Sequence, residues 1–433
     1  MDQQTDKPTA LINAMLLDPV KETLKPGGLL IKDGLIAQIS ANMRRNAPKN
    51  TNVIDCGGKI LAPGLVDMLV YTGVPGKEHR ETLETASKAA LAGGVTSMIC
   101  MPNTKPVIDD VALVDYIKRT ATDQGLVHIY PMAAVTKGLL GVEMSEIGLL
   151  KHAGAIAFTN GKDSIPNAKT MRMVLSYAND FDALIVHFTE CNDLADPGVM
   201  NEGLVSSRLG LPGRPVEAEI IMLERDIRLV EMTGCRYHAA QISCAASLEV
   251  IRKAKAQGLP ITCGVSVNHL TLNENDIGSY RTFFKMRPPL RTEEDRMALV
   301  GGVKDGTIDV VVSAHDPKDA DVKRHPFAQA SDGAIGLETI LPALLRLYHS
   351  DDLTLPEIFR AVTNNPAQLL GLETGELKVG LPADLTLFDP NTPWIVDSPL
   401  LRSKSKNTPF DDERMQGRIL RTFVAGRELY QYS

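Results

Sequence analysis

The stretch GLVDMLVYT at residues 64–72 is followed by ETLETASKAALA at 81–92 and by TSMICM at 96–101. The first and last runs are short and largely apolar, which is typical of strands buried on both faces. The middle stretch has the apolar spacing of a helix and ends at Gly93-Gly94, a usual stop signal of a helix C-terminus. This order of elements predicts a βαβ unit with two parallel strands.

The same alternation continues along the chain. Strands are predicted at residues 64–72, 96–101, 128–136, 154–159, 182–189, 235–243, 261–266 and 308–315, and the clearest helices at 81–92, 167–177, 217–232, 246–256 and 293–303. Crossovers of this kind make parallel sheets, and eight parallel strands close around a filled interior. We therefore predict an α/β chain with a (β/α)8 barrel of the TIM type, and an open doubly wound sheet is the alternative.

The two ends of the chain carry a different pattern. Residues 10–60 contain short apolar runs separated by turn residues, among which Asp33-Gly34 is a strong hairpin signal. Residues 377–390 and 418–430 again have the pattern of strands and turns. We expect residues 1–60 and 364–433 to form one small β-sandwich module, and residues 61–363 to form the barrel.

Composition argues against several functional classes. The 433 residues carry a net charge of -7, and Lys and Arg are scattered, so we expect no nucleic-acid binding. No stretch approaches the roughly 18 apolar residues of a membrane span, so we expect a cytoplasmic protein without membrane association. The six cysteines are widely spaced without a CxxC pair, which predicts reduced thiols and no thiolate metal site.

Several segments resemble the dihydroorotases of the amidohydrolase superfamily. They are ILAPGLVD (60–67), PGKEHRETLETASKAALAGGVTS (75–97), MPNTKPVID (101–109), PPLRTEEDR (288–296), DGTIDVVVSAHDP (305–317), GAIGLETILPALL (333–345) and SKNTPFDDERMQGRILRTFVAGRELY (405–430). Their combination favours dihydroorotases over hydantoinase or urease relatives. The resemblance implies a barrel with a β-sandwich built from both chain ends, zinc at the barrel mouth, and interconversion of carbamoyl aspartate and dihydroorotate.

The first positions at which this resemblance implies site residues hold other side chains. Leu69 and Tyr71 replace the His pair that follows the first strand, and Gly73 replaces the Arg that binds the substrate carboxylate. On the fourth strand, Asn160 stands near the expected bridging carboxylate. Lys162 lies past the predicted strand end, so we expect an exposed loop lysine, with carboxylation of its amine as the alternative.

The later strands complete this comparison. His187 matches an implied metal ligand, but a single imidazole does not build a zinc site, so we expect a hydrogen-bonded core residue. Gln241 replaces the next implied ligand. On the eighth strand Ala314 occupies the position of the catalytic Asp, His315 follows it, and Asp316 is expected to point elsewhere. A zinc site normally takes three protein ligands, so one matched histidine predicts no metal, and the missing base predicts no catalytic residue.

At the positions where the resemblance implies substrate-binding residues, some side chains match the family and one does not. Asn103 and His269 match, but Arg287 stands where an Asn is expected. Arg287 is either a pocket cation that recognises an acidic ligand or a residue of the rim or of an interface. We therefore expect a vestigial pocket that keeps some binding groups. Its expected residues are Leu69, Tyr71, Gly73, Asn103, Asn160, His187, Gln241, His269, Arg287 and His315.

These replacements predict a non-catalytic dihydroorotase-like protein of pyrimidine synthesis without a cofactor. Some bacteria pair such inactive chains with aspartate transcarbamoylase, so the resemblance implies a structural or regulatory partner of that enzyme. It also implies a homo-oligomer, such as a dimer. Two alternatives remain open: an active cyclic amidohydrolase with zinc in a site rebuilt from His187, His269, His315, Asp316 and Lys162, and a sensor that holds a carbamoyl or carboxylate compound through Asn103 and Arg287.

Overall fold

The N-terminal strands belong to a β-module. The computed structural model describes residues 7–432, so the first six residues and Ser433 of the predicted module lie outside the described part. The first strands are β1 (Thr9–Asp18), β2 (Thr23–Lys32), β3 (Leu35–Ser40), β4 (Asn52–Asp55) and β5 (Ile60–Pro63). β2 and β3 are joined antiparallel by Asp33 and Gly34, whose φ angles are 52° and 79°. The hairpin predicted at this dipeptide is confirmed.

The barrel strands follow in chain order. They are β6 (Leu65–Val70), β7 (Val95–Cys100), β8 (His128–Pro131) continued by β9 (Ala133–Ala134), β10 (Phe158–Thr159), β11 (Ile185–His187), the outlying pair β12 (Met200–Asn201) and β13 (Gly213–Arg214), β14 (Tyr237–Ala239), β15 (Ile261–Ser266) and β16 (Val310–Val312). Neighbouring barrel strands pair in parallel. The ring closes where Val70 pairs with His315 and the backbone N–H of Tyr71 donates to the His315 carbonyl over 2.9 Å. The predicted barrel is confirmed, and this closure excludes an open doubly wound sheet.

Helices connect and cover these strands. They are α1 (Met43–Asn46), α2 (Leu83–Ala92), α3 (Val111–Gln124), α4 (Ile147–Ala153), α5 (Ala168–Asn179), α6 (Asn192–Ala195), α7 (Leu204–Leu209), α8 (Glu217–Thr233), α9 (Ala245–Ala256), α10 (Val267–Thr271), α11 (Glu293–Lys304), α12 (Ala320–Lys323), α13 (Ile340–His349), α14 (Leu355–Phe359) and α15 (Asn365–Leu370). Short 3-10 turns lie at Lys137–Leu139, Glu274–Ile277, Thr282–Phe284 and Ser398–Leu400, and a π turn at Arg360–Asn364. Between residues 7 and 432, no helix combines the length and apolar character that crossing a membrane requires.

Local signals explain where these elements begin and end. The Thr82 hydroxyl accepts the Thr85 backbone N–H over 3.1 Å at the start of α2, and Gly94 follows that helix with a φ of 78°. The strand predicted at 154–159 is shorter than predicted. Its first residues close α4, because Gly154 has a φ of 110° and the Ala155 N–H still bonds back into the helix, so only Phe158–Thr159 pair as β10.

The C-terminal strands complete the β-module. β17 (Leu385–Ile395), β18 (Arg414–Val424) and β19 (Arg427–Gln431) add to the N-terminal strands in the order β19-β18-β17-β5-β1-β2-β3, with β4 beside β1. Leu11, Leu61, Leu385 and Phe423 come from both chain ends and share one buried core. The predicted module built from both ends is confirmed, whereas the boundaries predicted at residues 60/61 and 363/364 stay predictions.

The barrel interior is packed with side chains. Val66, Ile99, Val186 and Val310 belong to one buried apolar cluster within the ring. All six cysteines are free, as the spacing predicts, and five are buried. Since the interior is filled, access to polar groups is confined to the mouth at the carboxyl ends of the strands.

A histidine–aspartate contact joins the barrel to the β-module. Nε2 of His128 on β8 lies 3.1 Å from Oδ1 of Asp384, the residue before β17, and this hydrogen bond raises the pKa of His128 above its ordinary value. A pKa that is raised by folding stabilises the fold fully below the unfolded pKa, about 6.5 for histidine. The contribution is lost as the pH rises through the folded pKa.

We expect His128→Asn to lower the unfolding temperature more at pH 6 than at pH 8.5. Thermal scans of wild type and variant at both pH values measure this difference. His152→Asn is the matched control, because His152 is exposed on α4. An equal loss for His128→Asn at both pH values would mean that the neutral hydrogen bond, and not the charged pair, stabilises this contact.

Candidate functional site

Two adjoining cavities open at the carboxyl ends of the barrel strands. The inner cavity, of 30 Å³, is largely apolar and includes Leu69, Phe188 and Ala314. The outer cavity, of 280 Å³, is charged and includes Lys77 and Lys318. Both are lined by Tyr71, Lys162, Arg287 and Asp316. A larger cavity of 760 Å³ lies on the β-module, but active sites of such barrels lie at the strand ends, so we take the two mouth cavities as the candidate site.

The end of β6 presents no metal ligand. Leu69 is only 6% exposed and packs with the apolar interior. Burial raises the pKa of the Tyr71 hydroxyl, which keeps it neutral. Gly73 has a φ of 71°, and a Cβ at this position would lie 2.8 Å from the carbonyl oxygen of Lys77. The turn therefore excludes an arginine at residue 73.

Lys162 turns inward from the residues that follow β10. Its ammonium forms ion pairs with Asp316 and with Asp332, the latter at 2.9 Å, and lies 5.1 Å from the centroid of the Tyr71 ring. Burial lowers the pKa of Lys162, but the two aspartates raise it above its ordinary value. The expectation of an exposed loop lysine is wrong, because only 22% of the side chain is exposed. Carboxylation is disfavoured as well, since it needs the neutral amine.

Asp316 points into the mouth, so the expectation that it points elsewhere is wrong. Its carboxylate accepts from Lys318 Nζ at 3.0 Å as well as from Lys162. Burial raises the pKa of Asp316, but these two ammonium groups outweigh burial and hold it below its usual range. The Asn407 amide fixes the local backbone by donating to the carbonyls of Asp316 and Gly333, each over 3.1 Å.

His187 lines neither cavity, which corrects its place in the expected pocket, and it is buried as the hydrogen-bonded core residue that we expect from the sequence. Its Nε2 accepts the backbone N–H of Ile165 over 2.9 Å, and its Nδ1 lies 2.7 Å from Asp226 Oδ2. The accepting Nε2 assigns the proton to Nδ1, which donates to Asp226. Asp226 also accepts from the Tyr237 hydroxyl over 2.7 Å and pairs with Arg225. Both ring nitrogens are thus engaged in a buried network.

Asn160 and His315 also lie outside the two cavities, which corrects their predicted place in the pocket. Asn160 accepts from the Thr136 hydroxyl over 2.6 Å, and its amide donates to a backbone carbonyl over 3.2 Å. His315 Nδ1 accepts the Gly336 N–H over 3.2 Å, while its Nε2 lies 3.4 Å from the Glu81 carboxylate. Both side chains satisfy buried polar groups behind the strand ends, which would otherwise be left unpaired.

Gln241 and His269 do line the inner cavity. Gln241 takes the place implied for a histidine ligand, and its neutral amide oxygen is a weak ligand for zinc. His269 Nδ1 accepts from the Ser266 hydroxyl over 2.8 Å, and its Nε2 donates to the Pro288 carbonyl over 3.1 Å. Burial lowers the pKa of His269 to about 4, so the ring is neutral near pH 7.

Asn103 and Arg287 lie together on the outer cavity. The Asn103 Oδ1 atom is buried without a hydrogen-bond partner. Arg287 Nε donates to Glu190 over 2.8 Å, and the other side of its guanidinium donates to Asn192 over 3.2 Å. Arg287 is therefore a cavity cation that is already paired with a carboxylate.

The carboxylates that line the mouth, Asp163, Asp316 and Asp332, are each in an ion pair with a cation. Ala314 occupies the position of the family's base, and the lowered pKa of Asp316 makes that carboxylate a weak base. The imidazole that lines the inner cavity, His269, uses both nitrogens in hydrogen bonds. Among the described residues, these groups do not combine a nucleophile with a general base at the mouth.

Comparisons with known proteins place the chain in a family. A family model described as dihydro-orotase-like matches residues 58–247, and one described as amidohydrolase family matches residues 299–430. A dihydroorotase of Anaplasma phagocytophilum (strain HZ) is 40% identical over 426 residues, which is 98% of this chain and 95% of the relative. A dihydroorotase of Geobacter sp. (strain M21) is 41% identical over 403 residues, or 93% of this chain and 94% of the relative. This chain belongs to the dihydroorotase family.

Solved structures agree with this membership at the level of the fold. L-hydantoinase from Arthrobacter aurescens superposes with a TM-score of 0.89 at 26% identity, covering 98% of this chain and 96% of that chain. Dihydropyrimidinase from Brevibacillus agri NCHU1002 gives a TM-score of 0.84 at 19% identity, covering 98% and 95%. The barrel and its β-module are therefore shared with amidohydrolases beyond the dihydroorotase family.

The zinc that the dihydroorotase family implies does not fit these residues. Within residues 7–432, no three His, Cys, Asp or Glu side chains come together as ligands for a metal ion. A catalytic zinc normally takes three protein ligands and a water. The strand ends instead present Leu69, Gln241 and the ammonium of Lys162, and an ammonium would repel a divalent cation.

One charged residue of the site, Asp332, was missed by the sequence interpretation, and a second, Lys318, is recognised there only as a replacement. Asp332 lies directly before the family-like segment GAIGLETILPALL, and this position was the signal that could have revealed it. Lys318 stands where the family pattern has a histidine, but its ion pair with Asp316 could not be read from that replacement. A third residue, Asp226, lies on the buried face of α8, where a carboxylate among apolar residues predicts a buried partner.

Proposed function

We propose that this chain is a non-catalytic member of the dihydroorotase family that serves pyrimidine synthesis as a structural or regulatory partner of aspartate transcarbamoylase. One observation carries the proposal. At the strand ends where the family holds its metal, the chain has Leu69, Tyr71 and Gln241, and an ammonium held by two aspartates.

The missing groups are those that the family reaction needs. Hydrolysis of a cyclic amide requires a polarised carbonyl and a hydroxide available near neutral pH, which a bound metal supplies. It also requires a group that carries a proton between water and the leaving nitrogen. Within the described part of the chain, the mouth lacks a metal-ligand set for the first requirement, and for the second the carboxylate nearest the family's base position, Asp316, has a lowered pKa and is a weak base.

The scaffold, by contrast, has kept every element that builds the fold. Relatives named dihydroorotase match 93–98% of the chain, and the ring of strands and the two-ended module are complete. A scaffold that persists without its reactive groups is suited to a role in which surfaces and not the mouth are used. We propose that these surfaces hold a second copy of the chain and the transcarbamoylase.

The purified protein is expected to contain no stoichiometric zinc and to show no dihydroorotate hydrolysis above the protein-free rate. Metal content is measured on protein prepared without chelators, and hydrolysis is followed with and without added zinc. An active family member assayed in parallel confirms that the assay works. Stoichiometric zinc together with turnover would contradict the proposal and establish an active enzyme.

The partner role needs its own test. Co-expression with aspartate transcarbamoylase from the same organism is expected to give co-elution in gel filtration and a changed transcarbamoylase rate. Separate elution with an unchanged rate would contradict the partner role, even if the chain proves inactive.

A second candidate, an active dihydroorotase, is favoured by the names of the relatives at 40–41% identity. A site rebuilt from His187, His269, His315, Asp316 and Lys162 is not assembled, since His187 and His315 line neither mouth cavity. Activity would therefore have to use His269, Asp316 and Lys162. The same turnover assay tests this candidate.

A third candidate, a sensor of carbamoyl or carboxylate compounds, is favoured by the unpartnered Asn103 Oδ1 on the outer cavity beside Arg287. A ligand that binds only the folded state raises its unfolding temperature. Carbamoyl aspartate and dihydroorotate are the compounds to test, with Asn103→Ala as the control that should lose the response.

A further inference from the structure

One lysine links two distant parts of the barrel mouth. Lys162 follows β10, while Asp316 and Asp332 lie beyond β16, 154 and 170 residues later in the chain. Gly161 sets the direction of this lysine, because its φ is 71° and a Cβ there would lie 2.1 Å from the Asn103 amide. A larger residue at 161 would push the turn away from the mouth. The backbone is thus shaped to send the Lys162 side chain inward.

Two carboxylates and a second ammonium surround the ammonium of Lys162. Asp316 pairs with Lys162 and Lys318, and Asp332 pairs with Lys162. Only 22% of the Lys162 side chain and 7% of the Asp316 side chain are exposed, so water screens these charges weakly. One ammonium contacts both carboxylates, so the two acids lie close enough to repel each other if that charge is removed.

This arrangement occupies the region where a metal would lie in the family. The Tyr71 ring, at a position implied for a histidine ligand, lies against the ammonium and presents its face to it. An aromatic face stabilises an ammonium but cannot ligate zinc. The residues around the mouth therefore suit a fixed organic cation better than a divalent metal.

We propose that Lys162 is the resident cation of the barrel mouth, and that its ammonium, and not a metal ion, neutralises Asp316 and Asp332 and ties the end of β10 to the segment after β16. The inference rests on the proposed metal-free state of the chain. It does not depend on the partner role. It predicts that the mouth is held together by charge in the absence of any metal.

A double-mutant cycle on the full-length protein tests the role of this charge. Lys162→Met is expected to lower the unfolding temperature by several degrees, because it removes the one cation that contacts both the buried Asp316 and the partly buried Asp332. Lys318, Arg287 and Lys323 remain as the nearby cations. Adding Asp332→Asn to Lys162→Met is expected to recover part of that loss, since Asp316 then remains balanced by Lys318. In the wild-type background, Asp332→Asn alone is expected to be destabilising. Lys169→Met, an exposed lysine at the start of α5, is the control for loss of a lysine in general.

The outcomes separate this inference from the proposed function. Additive effects in the cycle would overturn the role of Lys162 and leave the non-catalytic proposal intact. A lower unfolding temperature of the wild type after chelation would overturn both, since it would reveal a structural metal. If Lys162→Met is insoluble, the double variant decides: a soluble double variant supports the charge role, and an insoluble one shows that Lys162 acts through packing.

Discussion

Asp226→Ala is expected to lower the free energy of unfolding by about 3–5 kcal/mol, the usual cost of removing one partner from a buried ion pair. Asp226 is fully buried and accepts from His187 and from the Tyr237 hydroxyl, each over 2.7 Å, while it pairs with Arg225. Removing the carboxylate leaves three donors without an acceptor in the barrel wall. The buried His187 and Tyr237 lose their hydrogen bonds to this carboxylate without regaining water.

The pH dependence of this loss follows from the carboxylate. Burial raises the pKa of Asp226, but the hydrogen bonds from His187 and Tyr237 and the charge of Arg225 outweigh burial and hold it below its usual value. A pKa that is lowered by folding contributes stability above the unfolded pKa, about 3.9, and this contribution is lost as the pH falls through the folded pKa. The loss of unfolding free energy in Asp226→Ala is therefore expected to be full at pH 7 and to become smaller only in strong acid.

Urea unfolding of wild type and Asp226→Ala measures the change as a lower midpoint at an unchanged slope. Glu224→Ala is the control, because Glu224 is an exposed carboxylate on the same helix, α8, and such surface changes stay within about 0.5 kcal/mol. A loss below about 1 kcal/mol for Asp226→Ala would contradict the network. If the wild type contained zinc and this variant did not, His187 would instead be a metal ligand.

Arg291→Met is expected to cost a similar amount, about 3–5 kcal/mol, because it removes the cation of a second buried network. Arg291 is 3% exposed and donates to Ser243 over 3.0 Å, to Asn201 over 2.9 Å and to the Arg214 carbonyl over 2.7 Å. Ser243 in turn donates to the buried Glu219. Without Arg291, this carboxylate keeps its charge in the protein interior with no cation in its network.

The stability loss again becomes smaller toward acid, as for Asp226→Ala, although the pKa of Glu219 is shifted in the opposite direction from that of Asp226. Burial raises the pKa of Glu219 above its ordinary value, and Arg291 is the group that partly counteracts burial. Loss of Arg291 raises that pKa further, so the folded variant binds a proton more strongly than the unfolded chain does. The stability deficit is therefore expected to be smaller at pH 5 than at pH 8.

Urea unfolding at both pH values measures this difference, with Arg228→Met as the control because the Arg228 side chain is 76% exposed. A loss that is equal at pH 5 and pH 8 would mean that Arg291 stabilises the fold by packing and hydrogen bonding alone. Arg291 belongs to the family-like segment PPLRTEEDR, so the test also assigns a structural reason to that segment.

The fold could be predicted because its signals are local. The run at 261–266 became β15 with the same ends, and the helix predicted at 217–232 became α8 (Glu217–Thr233), closed by Gly234 with a φ of 69°. The prediction of a strand failed at 154–157. There the backbone N–H groups of Gly154 and Ala155 bond to carbonyls of α4 and so belong to the end of that helix. A helix end and a strand start compete for the same N–H groups, and an apolar run does not show which one wins.

The site could be predicted only in part. The replacements at Leu69, Tyr71 and Gln241 follow from residue identity and line the cavity. The direction of a polar side chain does not follow from identity. His187 turns to Asp226 on a helix 39 residues later, and Lys162 turns to acids more than 150 residues away.

The sequence by itself determined the barrel, the module shared by the two chain ends and the loss of the family's ligand residues, because apolar periodicity, turn residues and residue identity are properties of neighbouring positions. Only the tertiary structure decided that Asp316 and Lys162 face the mouth while His187, His315 and Asn160 face away. The reason is that a buried polar group takes the orientation in which its hydrogen bonds and charge are satisfied, and its partners are brought to it by the closure of the barrel.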